Sequence, residues 1–198
     1  NIKASLGQDI DIEVLVNGMR DGFHQKPSMS IEEAQTLWVE LRQKAVAKKA
    51  SEKQNIATQN LDVGKAYLAE NGERKAVKTT KSGLQYEVIK PGKGKSPKGS
   101  NTVSVKYVGK LIDGTEFDSS YSRGEPSDLW LKDVIPGWTE GLQLMRKGAK
   151  YKFYIPSELG YGERGTNEKI GPHAVLVFEV ELLDIKQTVT EQKRRKNK

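Results

Sequence analysis

NTVSVKYVGKLIDGTEFD at residues 101–118 and AVLVFEVELLDI at residues 174–185 are the most informative segments of the chain about its fold. Apolar and polar residues alternate in both stretches, which is the two-residue period of a half-buried β-strand. Asp113-Gly114 separates two apolar groups and is typical of a hairpin turn. Residues 150–155 predict another strand, which Pro156 ends. These patterns predict a small, twisted, antiparallel sheet.

Two shorter patterns complete this half of the chain. Leu84, Tyr86 and Val88 alternate with polar residues and predict a strand that follows Ser82. The only helical candidate here is residues 138–145, which make about two turns. Such a helix suits a position across a curved sheet.

Before residue 80 the period is helical. Asp11 precedes an apolar stripe through residues 12–23, and a second stripe follows through residues 31–45. Ser30 and Glu33 form a capping box at the start of the second helix.

Asn71-Gly72 is the stop signal for this second helix. A helix over residues 31–70 would be about 60 Å long, and its middle is polar all round. We therefore expect a stalk helix between two modules. Two shorter helices joined by a loop near residues 53–60 are the alternative.

The first 45 residues contain too few apolar side chains to fold alone. Their apolar stripes need a partner surface, and a second copy of the same segment supplies one. We therefore expect a homodimer held by a set of large side chains, namely Leu15, Met19, Phe23, Leu37 and Trp38.

Composition excludes several classes of function. The chain has no cysteine, so disulfides, thiolate nucleophiles and cysteine-based metal sites are excluded. The net charge of +7 is concentrated in residues 186–198, where six basic residues accompany one acidic residue. We interpret this end as a solvated basic tail and expect no nucleic-acid partner. No apolar run approaches the roughly 20 residues that span a bilayer.

Two features suggest a cofactor or a metal site, but the surrounding sequence does not support either one. GYGERG at residues 160–165 matches a dinucleotide fingerprint, but no helical period follows it. His24 and His173 fall in different modules and predict no metal site. We expect neither a cofactor nor a metal.

An aromatic pocket is the remaining candidate site. Each aromatic residue taken singly fits an ordinary core, but polar groups near them favour a binding pocket. Asp118 follows Phe117 directly, and Tyr161 lies in a glycine-flanked loop. The aromatic residues expected to face the pocket are Tyr107, Phe117, Trp138 and Phe178.

Four segments resemble the FKBP-type peptidyl-prolyl cis–trans isomerases, over about residues 82–186. They are SVKYVGKLIDGTEFDSS, VIPGWTEGLQLM, LGYGERG and GPHAVLVFEVELLDI. The predicted helical region before residue 80 contains SLGQ, GMRDG and LAENGE. In these segments it is similar to the macrophage-infectivity-potentiator group of bacterial homodimers in this family.

The resemblance implies a role for each matching residue. Asp118, Tyr161 and the Ile135 N–H would be the catalytic groups, with the last two donating to a substrate carbonyl. The substrate-binding walls would be Tyr107, Phe117, Leu129, Val134, Trp138, Ile170 and Phe178. The chain departs from the family's pattern in three places. Leu129 stands where the family often has an aromatic residue, Trp130 stands where the family pattern predicts proline, and residues 166–169 are more polar than the usual glycine- and proline-rich run.

The resemblance also implies an α+β chain of four parts. These are a helical dimerisation domain (1–45), a stalk helix and linker (46–80), an isomerase domain with an antiparallel sheet wrapped around a short helix (81–186), and a basic tail (187–198). The implied activity is rotamase catalysis of X-Pro rotation in protein folding, and the alternative is a dimeric chaperone that mainly binds unfolded chains.

Further implications concern partners and location. The partners would be proline-containing peptides, unfolded proteins and macrolide inhibitors such as rapamycin and tacrolimus. The first residue is not methionine, and the sequence begins as if inside a helix. We expect a signal peptide to have been removed and the protein to lie in the periplasm or bacterial cell envelope, with a role in virulence; the cytoplasm is the alternative.

Overall fold

The computed structural model describes residues 18, 20, 21, 30–166 and 169–186. The chain divides into two compact units, residues 1–54 and residues 55–198. Leu15, Met19 and Phe23 lie outside the described residues, as does the predicted basic tail. The boundaries of the four predicted parts stay predictions.

Helix α1 runs without a break over Ile31–Gly72, 42 residues. The prediction of one long helix is confirmed, and the alternative with a loop near residues 53–60 is wrong. The middle of the helix lacks proline and is rich in Ala, Lys, Gln and Glu, which are strong helix formers. None of the helices in the described part of the chain is both long and apolar enough to cross a membrane.

The predicted capping box starts α1. The Ser30 backbone N–H donates to Glu33 Oε2 at 2.8 Å, and the Glu33 N–H donates to Ser30 Oγ at 3.2 Å. Each side chain therefore satisfies a backbone donor that the first helical turn leaves free.

The described strands form one antiparallel sheet in the order β1-β2-β6-β7-β3-β4, with β5 also pairing with β3. The strands are β1 (Val77–Thr79), β2 (Gln85–Lys90), β3 (Thr102–Leu111), β4 (Glu116–Ser119), β5 (Ser127–Trp130), β6 (Lys150–Ile155) and β7 (Leu176–Lys186).

The predicted strands of residues 101–118, 150–155 and 174–185 are confirmed as β3, β4, β6 and β7. In β3, alternate side chains are buried, because one face of the strand meets the core. The hairpin between β3 and β4 turns at Asp113-Gly114. Asp113 Oδ1 accepts from the Thr115 N–H at 2.8 Å, and Gly114 adopts a φ of 89°, which glycine tolerates best.

A β-bulge interrupts the pairing of β3 with β4. Gly109 pairs with Asp118 and Lys110 pairs with Glu116, so Phe117 is an extra residue with no partner. Neighbouring side chains in a regular strand point to opposite faces, but a bulge changes their direction. Phe117 and Asp118 can therefore both face the same cavity.

Helix α2 (Pro136–Leu144) lies across β6. Its two glycines, Gly137 and Gly141, face Ile155 and Phe153, where a Cβ would come within 2.6 and 2.7 Å of those side chains. The helix starts two residues before the predicted Trp138, because proline fits the first helical turn.

Sequence patterns missed β1 and β5, which are three and four residues long with little alternation. Strand β2 was predicted, but its alternation of burial does not last: Leu84 just before it is buried, whereas Val88 is exposed.

The end of α1 packs on the sheet within the second unit. Gln85 Nε2 donates to the Leu68 carbonyl at 2.8 Å, and Asn71 Nδ2 donates to Gln85 Oε1 at 2.8 Å. Arg74 donates to the Tyr154 hydroxyl at 2.8 Å. Residues 55–72 of the helix thus belong to the same compact unit as the sheet.

Candidate functional site

One cavity of about 830 Å³ collects all ten predicted pocket residues. This size is in the range of small-molecule and peptide side-chain sites. Three lining residues were not predicted: Asp133, Thr166 and Lys169. The predicted ones that line it are Tyr107, Phe117, Asp118, Leu129, Val134, Ile135, Trp138, Tyr161, Ile170 and Phe178.

Phe178, on β7, is the centre of the aromatic wall. Its ring meets Trp138 edge to face at a centroid distance of 5.1 Å and Phe117 edge to face at 5.4 Å. Tyr107 meets Trp138 edge to face at 5.0 Å. Such T-shaped pairs are favourable, so the rings hold one another in fixed positions.

Gly109 allows this ring packing. It pairs with Phe178 across β3 and β7, and both phenyl rings of the wall cover its backbone. A Cβ on Gly109 would lie 2.6 Å from Phe178 and 2.7 Å from Phe117. Only a residue without a side chain leaves space for both rings.

A polar triad lies beside the aromatic wall. Tyr107 donates its hydroxyl proton to Asp118 Oδ2 at 2.5 Å, and Arg123 Nη1 donates to Asp118 Oδ1 at 2.5 Å. Arg123 Nη2 also donates to the Tyr107 hydroxyl oxygen at 2.7 Å and to Ser127 Oγ at 3.1 Å. Each carboxylate oxygen of Asp118 therefore has a donor that fixes it.

The triad keeps Asp118 ionised. Burial raises the pKa of this carboxyl, but the hydrogen bonds from Tyr107 and Arg123 outweigh burial, and the net pKa lies below its ordinary value. Burial, and then the hydrogen bond to Asp118, raise the pKa of the Tyr107 hydroxyl. The pocket therefore contains a fixed negative charge and a neutral phenol.

Tyr161 and Ile135 supply two further polar groups. The Tyr161 side chain is 39% exposed, and burial followed by the charge of Asp118 raises the pKa of its hydroxyl, so it remains a proton donor. Ile135 occupies the N-cap position of α2, immediately before its first residue, Pro136. The N–H groups of a helix start have no partner within the helix and are available to an acceptor.

Lys169 forms part of the cavity rim. Its Nζ donates to the Phe117 carbonyl at 3.3 Å, and its neighbour Ile170 is buried in the wall. Sequence reasoning missed Lys169 and Thr166 as lining residues, although the polarity of residues 166–169 was a signal. No sequence period or spacing predicts that Arg123 contacts Asp118, five residues before it. The contact depends on the bend of the chain between β4 and β5.

The arrangement suits binding and conformational change. An apolar, aromatic wall surrounds the cavity, and a few fixed polar groups occupy its edge. Within the described part of the chain, no group of His, Asp or Glu side chains is arranged to hold a metal ion.

Two family models together match most of the chain. The model for FKBP-type peptidyl-prolyl cis–trans isomerase matches residues 93–183. The model for the domain amino terminal to FKBP-type peptidyl-prolyl isomerase matches residues 1–88.

Curated relatives match over nearly the whole chain. The FKBP-type peptidyl-prolyl cis–trans isomerase FkpA of Escherichia coli K12 is 48% identical, over 91% of this chain and 67% of that protein. The probable FkpA of Neisseria meningitidis is 45% identical over 90% and 66%. The outer membrane protein MIP of Legionella longbeachae is 38% identical over 91% and 78%. The chain thus spans about two thirds of the length of the FkpA relatives.

Solved structures of related proteins also match this chain. The crystal structure of FkpA from Escherichia coli matches with a TM-score of 0.80 and 43% identity, covering 93% of this chain and 86% of that one. A peptidyl-prolyl cis–trans isomerase from Pseudomonas syringae matches with a TM-score of 0.63 and 37% identity, covering 66% and 96%. From its fold, its pocket and these likenesses, the chain belongs to the family of FKBP-type peptidyl-prolyl cis–trans isomerases.

Proposed function

We propose that the aromatic cavity is the site where this isomerase rotates X-Pro bonds in peptides and unfolded proteins. The observation that carries the proposal is the ring cluster of Tyr107, Trp138 and Phe178 beside the fixed Asp118 carboxylate. A prolyl ring is compact and apolar, and it would pack on the Trp138 face of this cavity. The remaining walls would exclude water from the bond.

The barrier to this rotation comes from amide resonance. Resonance holds the C–N bond planar and gives a barrier of about 18–20 kcal/mol, so an X-Pro bond interconverts in roughly 10–100 s. A twisted amide has lost this resonance and its charge separation. An apolar cavity therefore favours it over the planar, hydrated ground state, and no covalent intermediate is required.

The polar groups would orient the substrate for this rotation. The Tyr161 hydroxyl and the Ile135 N–H would donate to a substrate carbonyl next to the rotating bond. Asp118, held by Tyr107 and Arg123, would present its negative charge toward the amide. A rate gain of about 10⁴-fold corresponds to about 5.5 kcal/mol, which desolvation and two or three such contacts can supply.

Two substitutions test this assignment. Asp118→Leu and Tyr161→Phe leave the aromatic wall in place, so circular dichroism should remain near native. Loss of one hydrogen bond in the transition state should lower kcat/KM for a short Leu-Pro peptide roughly tenfold. Tyr121→Phe is the matched control, because Tyr121 is exposed and does not line the cavity. Retention of full activity by both pocket variants would show that the site lies elsewhere.

We also propose that the chain forms a homodimer through its first unit. Leu37, Trp38 and Leu41 are 43%, 56% and 48% exposed on α1. Large apolar side chains at this spacing form one stripe, and burial against a second copy would remove them from water. The predicted partners Leu15, Met19 and Phe23 would complete the interface.

The boundary of the isomerase domain is a further proposal. The second compact unit begins at Asn55 and includes the last turns of α1. The hydrogen bonds of Asn71 and Arg74 to the sheet support a functional domain that starts near residue 55, ahead of the predicted start at residue 81.

Inhibitors and location complete the proposal. An aromatic cavity of this volume would accept macrolides such as rapamycin and tacrolimus, with Lys169 at the rim affecting their affinity. We propose a location in the periplasm or cell envelope and a role in virulence. The likeness to the Legionella protein named as outer membrane protein MIP supports the location.

A further inference from the structure

A loop that follows β6 forms one wall of the cavity. The pocket loop consists of residues 161–166 and 169–175 in the described chain, and it contributes Tyr161, Thr166, Lys169 and Ile170 to the lining. Three internal hydrogen bonds shape the loop: the Thr166 N–H donates to the Ile170 carbonyl at 2.8 Å, the His173 N–H donates to the Gly162 carbonyl at 2.9 Å, and the Gly165 N–H donates to the Tyr161 carbonyl at 3.2 Å. The loop is also attached to its surroundings on the side of the cavity: the Gly162 N–H donates to the Ser157 carbonyl at 2.9 Å, and Lys169 Nζ donates to the Phe117 carbonyl at 3.3 Å.

Helix α1 supplies a further attachment, near the C-terminal end of the loop. Asn60 Nδ2 donates to the Pro172 carbonyl at 2.8 Å, and this hydrogen bond is partly buried. It joins residues 112 positions apart in the chain. The acceptor lies two residues after Ile170, a buried residue of the cavity wall, so the contact is made next to that wall.

Two glycines bring the helix and the loop into close contact. A Cβ on Gly64 would lie 2.8 Å from Val175 Cγ2, and Val175 is buried. A Cβ on Gly171 would lie 3.0 Å from Asn60 Nδ2 and 3.3 Å from Ile56 Cγ2. Residues 56, 60 and 64 recur every fourth position, so they lie along one face of α1.

The loop backbone needs such support. His173 has a φ of 56°, the one positive φ outside glycine in the described residues. A residue with a Cβ enters this region at a cost, and the surrounding structure must hold it there.

We propose that Ile56, Asn60 and Gly64 are positioning residues for the isomerase site. They hold the pocket loop against α1, so that Tyr161 and Ile170 keep the places that substrate binding requires. The inference rests on the proposed function, because it assumes that the cavity binds the substrate. It makes part of the long helix a component of the site itself.

The test compares two substitutions in the full chain. Asn60→Asp keeps the size of the side chain, removes the donor and places a negative charge against the Pro172 carbonyl. Gln59→Glu is the matched control, because Gln59 is exposed on the same helical turn and the change adds the same charge. Helix propensity changes little in either variant.

Two measurements report the result. In Asn60→Asp, hydrogen exchange at the Thr166 and His173 amides should become roughly tenfold faster, while the amides of β3 and β7 keep the wild-type rate. KM for a Leu-Pro peptide should rise roughly three- to tenfold with a smaller change in kcat, because fewer molecules have the binding-competent loop. Gln59→Glu should match the wild type in both.

Three outcomes would overturn the proposal. Unchanged loop exchange would show that the contact does not hold the loop, and faster loop exchange with unchanged KM would show that it does not position the site. Equal acceleration in β3 and β7 would mean that the contact stabilises the whole unit instead. Hydrogen exchange does not depend on activity, so an error in the proposed function would appear separately, as retained activity in Asp118→Leu and Tyr161→Phe.

Discussion

Gly109 shows how one residue determines the shape of the pocket. Its backbone lies under the Phe117 and Phe178 rings, which approach closer than any Cβ would allow. A larger residue must push at least one ring out of place, because both are held by neighbouring rings.

We therefore predict that Gly109→Ala destabilises the fold by roughly 1–3 kcal/mol and lowers peptide turnover. Urea unfolding and the Leu-Pro peptide assay measure the two effects. Gly99→Ala is the control, since a Cβ there would meet only Gln143 at 3.8 Å, an ordinary contact. Equal stability in urea and equal peptide turnover in the two variants would contradict the packing explanation.

The ionisation of the pocket leads to a second prediction at this scale. The pKa of Asp118 is below its ordinary value and the pKa of Tyr161 is above its own, so neither group titrates near neutral pH. We predict that kcat/KM is flat between about pH 5 and pH 8. A bell-shaped profile with a midpoint inside this range would contradict the assignment of both groups.

The sign of the stability effect follows from the same pKa of Asp118. A carboxyl whose folded pKa is lowered contributes stability above its unfolded pKa of about 3.9 and loses it as the pH falls through the folded value. Stability should therefore decline in acid, and less steeply in Asp118→Asn. The effect should be small, because the Asp118 side chain is 41% exposed and its ion pair is screened by solvent.

At the scale of elements, the capping box determines where α1 begins. Both reciprocal hydrogen bonds of Ser30 and Glu33 are formed, and the bonds from Ser30 lower the pKa of Glu33. We predict that Ser30→Ala lowers the stability of the first turn of α1 by about 1 kcal/mol. Hydrogen exchange should become faster at the Ala34 amide, which donates to the Ser30 carbonyl.

Ser51→Ala is the matched control for the cap. Ser51 is exposed in the interior of α1, where alanine is the better helix former, so this change should leave the helix intact or slightly more stable. Equal exchange at Ala34 in both variants would show that the cap does not stabilise the helix start.

At the scale of the whole molecule, the exposed apolar side chains of α1 in the first unit are the basis of the proposed homodimer. We predict that the full chain sediments as a dimer and that Leu37→Glu with Trp38→Glu sediments as a monomer. Burying each large apolar side chain contributes about 1.5–3 kcal/mol, so the double change should raise the dissociation constant more than tenfold.

A single change outside the proposed interface separates assembly from general surface effects. Val63→Glu also places a charge on an exposed apolar position of α1, where Val63 is 48% exposed, but it lies in the second unit. This variant should stay dimeric. A monomeric wild-type chain, or a dimeric double variant, would contradict the proposal.

Local sequence signals were enough to predict several elements of this protein. Alternation predicted β3, β6 and β7, Asp113-Gly114 predicted the hairpin, and Ser30 with Glu33 predicted the start of α1. These signals depend on periods, caps and turns of a few residues, so they can be interpreted without knowledge of the fold. The aromatic and polar pattern predicted six residues that line the cavity, and the family resemblance added the other four, Leu129, Val134, Ile135 and Ile170.

The contacts between these residues depend on the tertiary structure. The bulge that turns Phe117 and Asp118 to one cavity depends on the register between two strands, and Arg123 reaches Asp118 only after the chain bends. The contact of Asn60 with Pro172 joins positions 112 residues apart. No local period encodes such pairings, because they arise when separate elements pack against one another and each side chain meets whatever partner the packing places beside it.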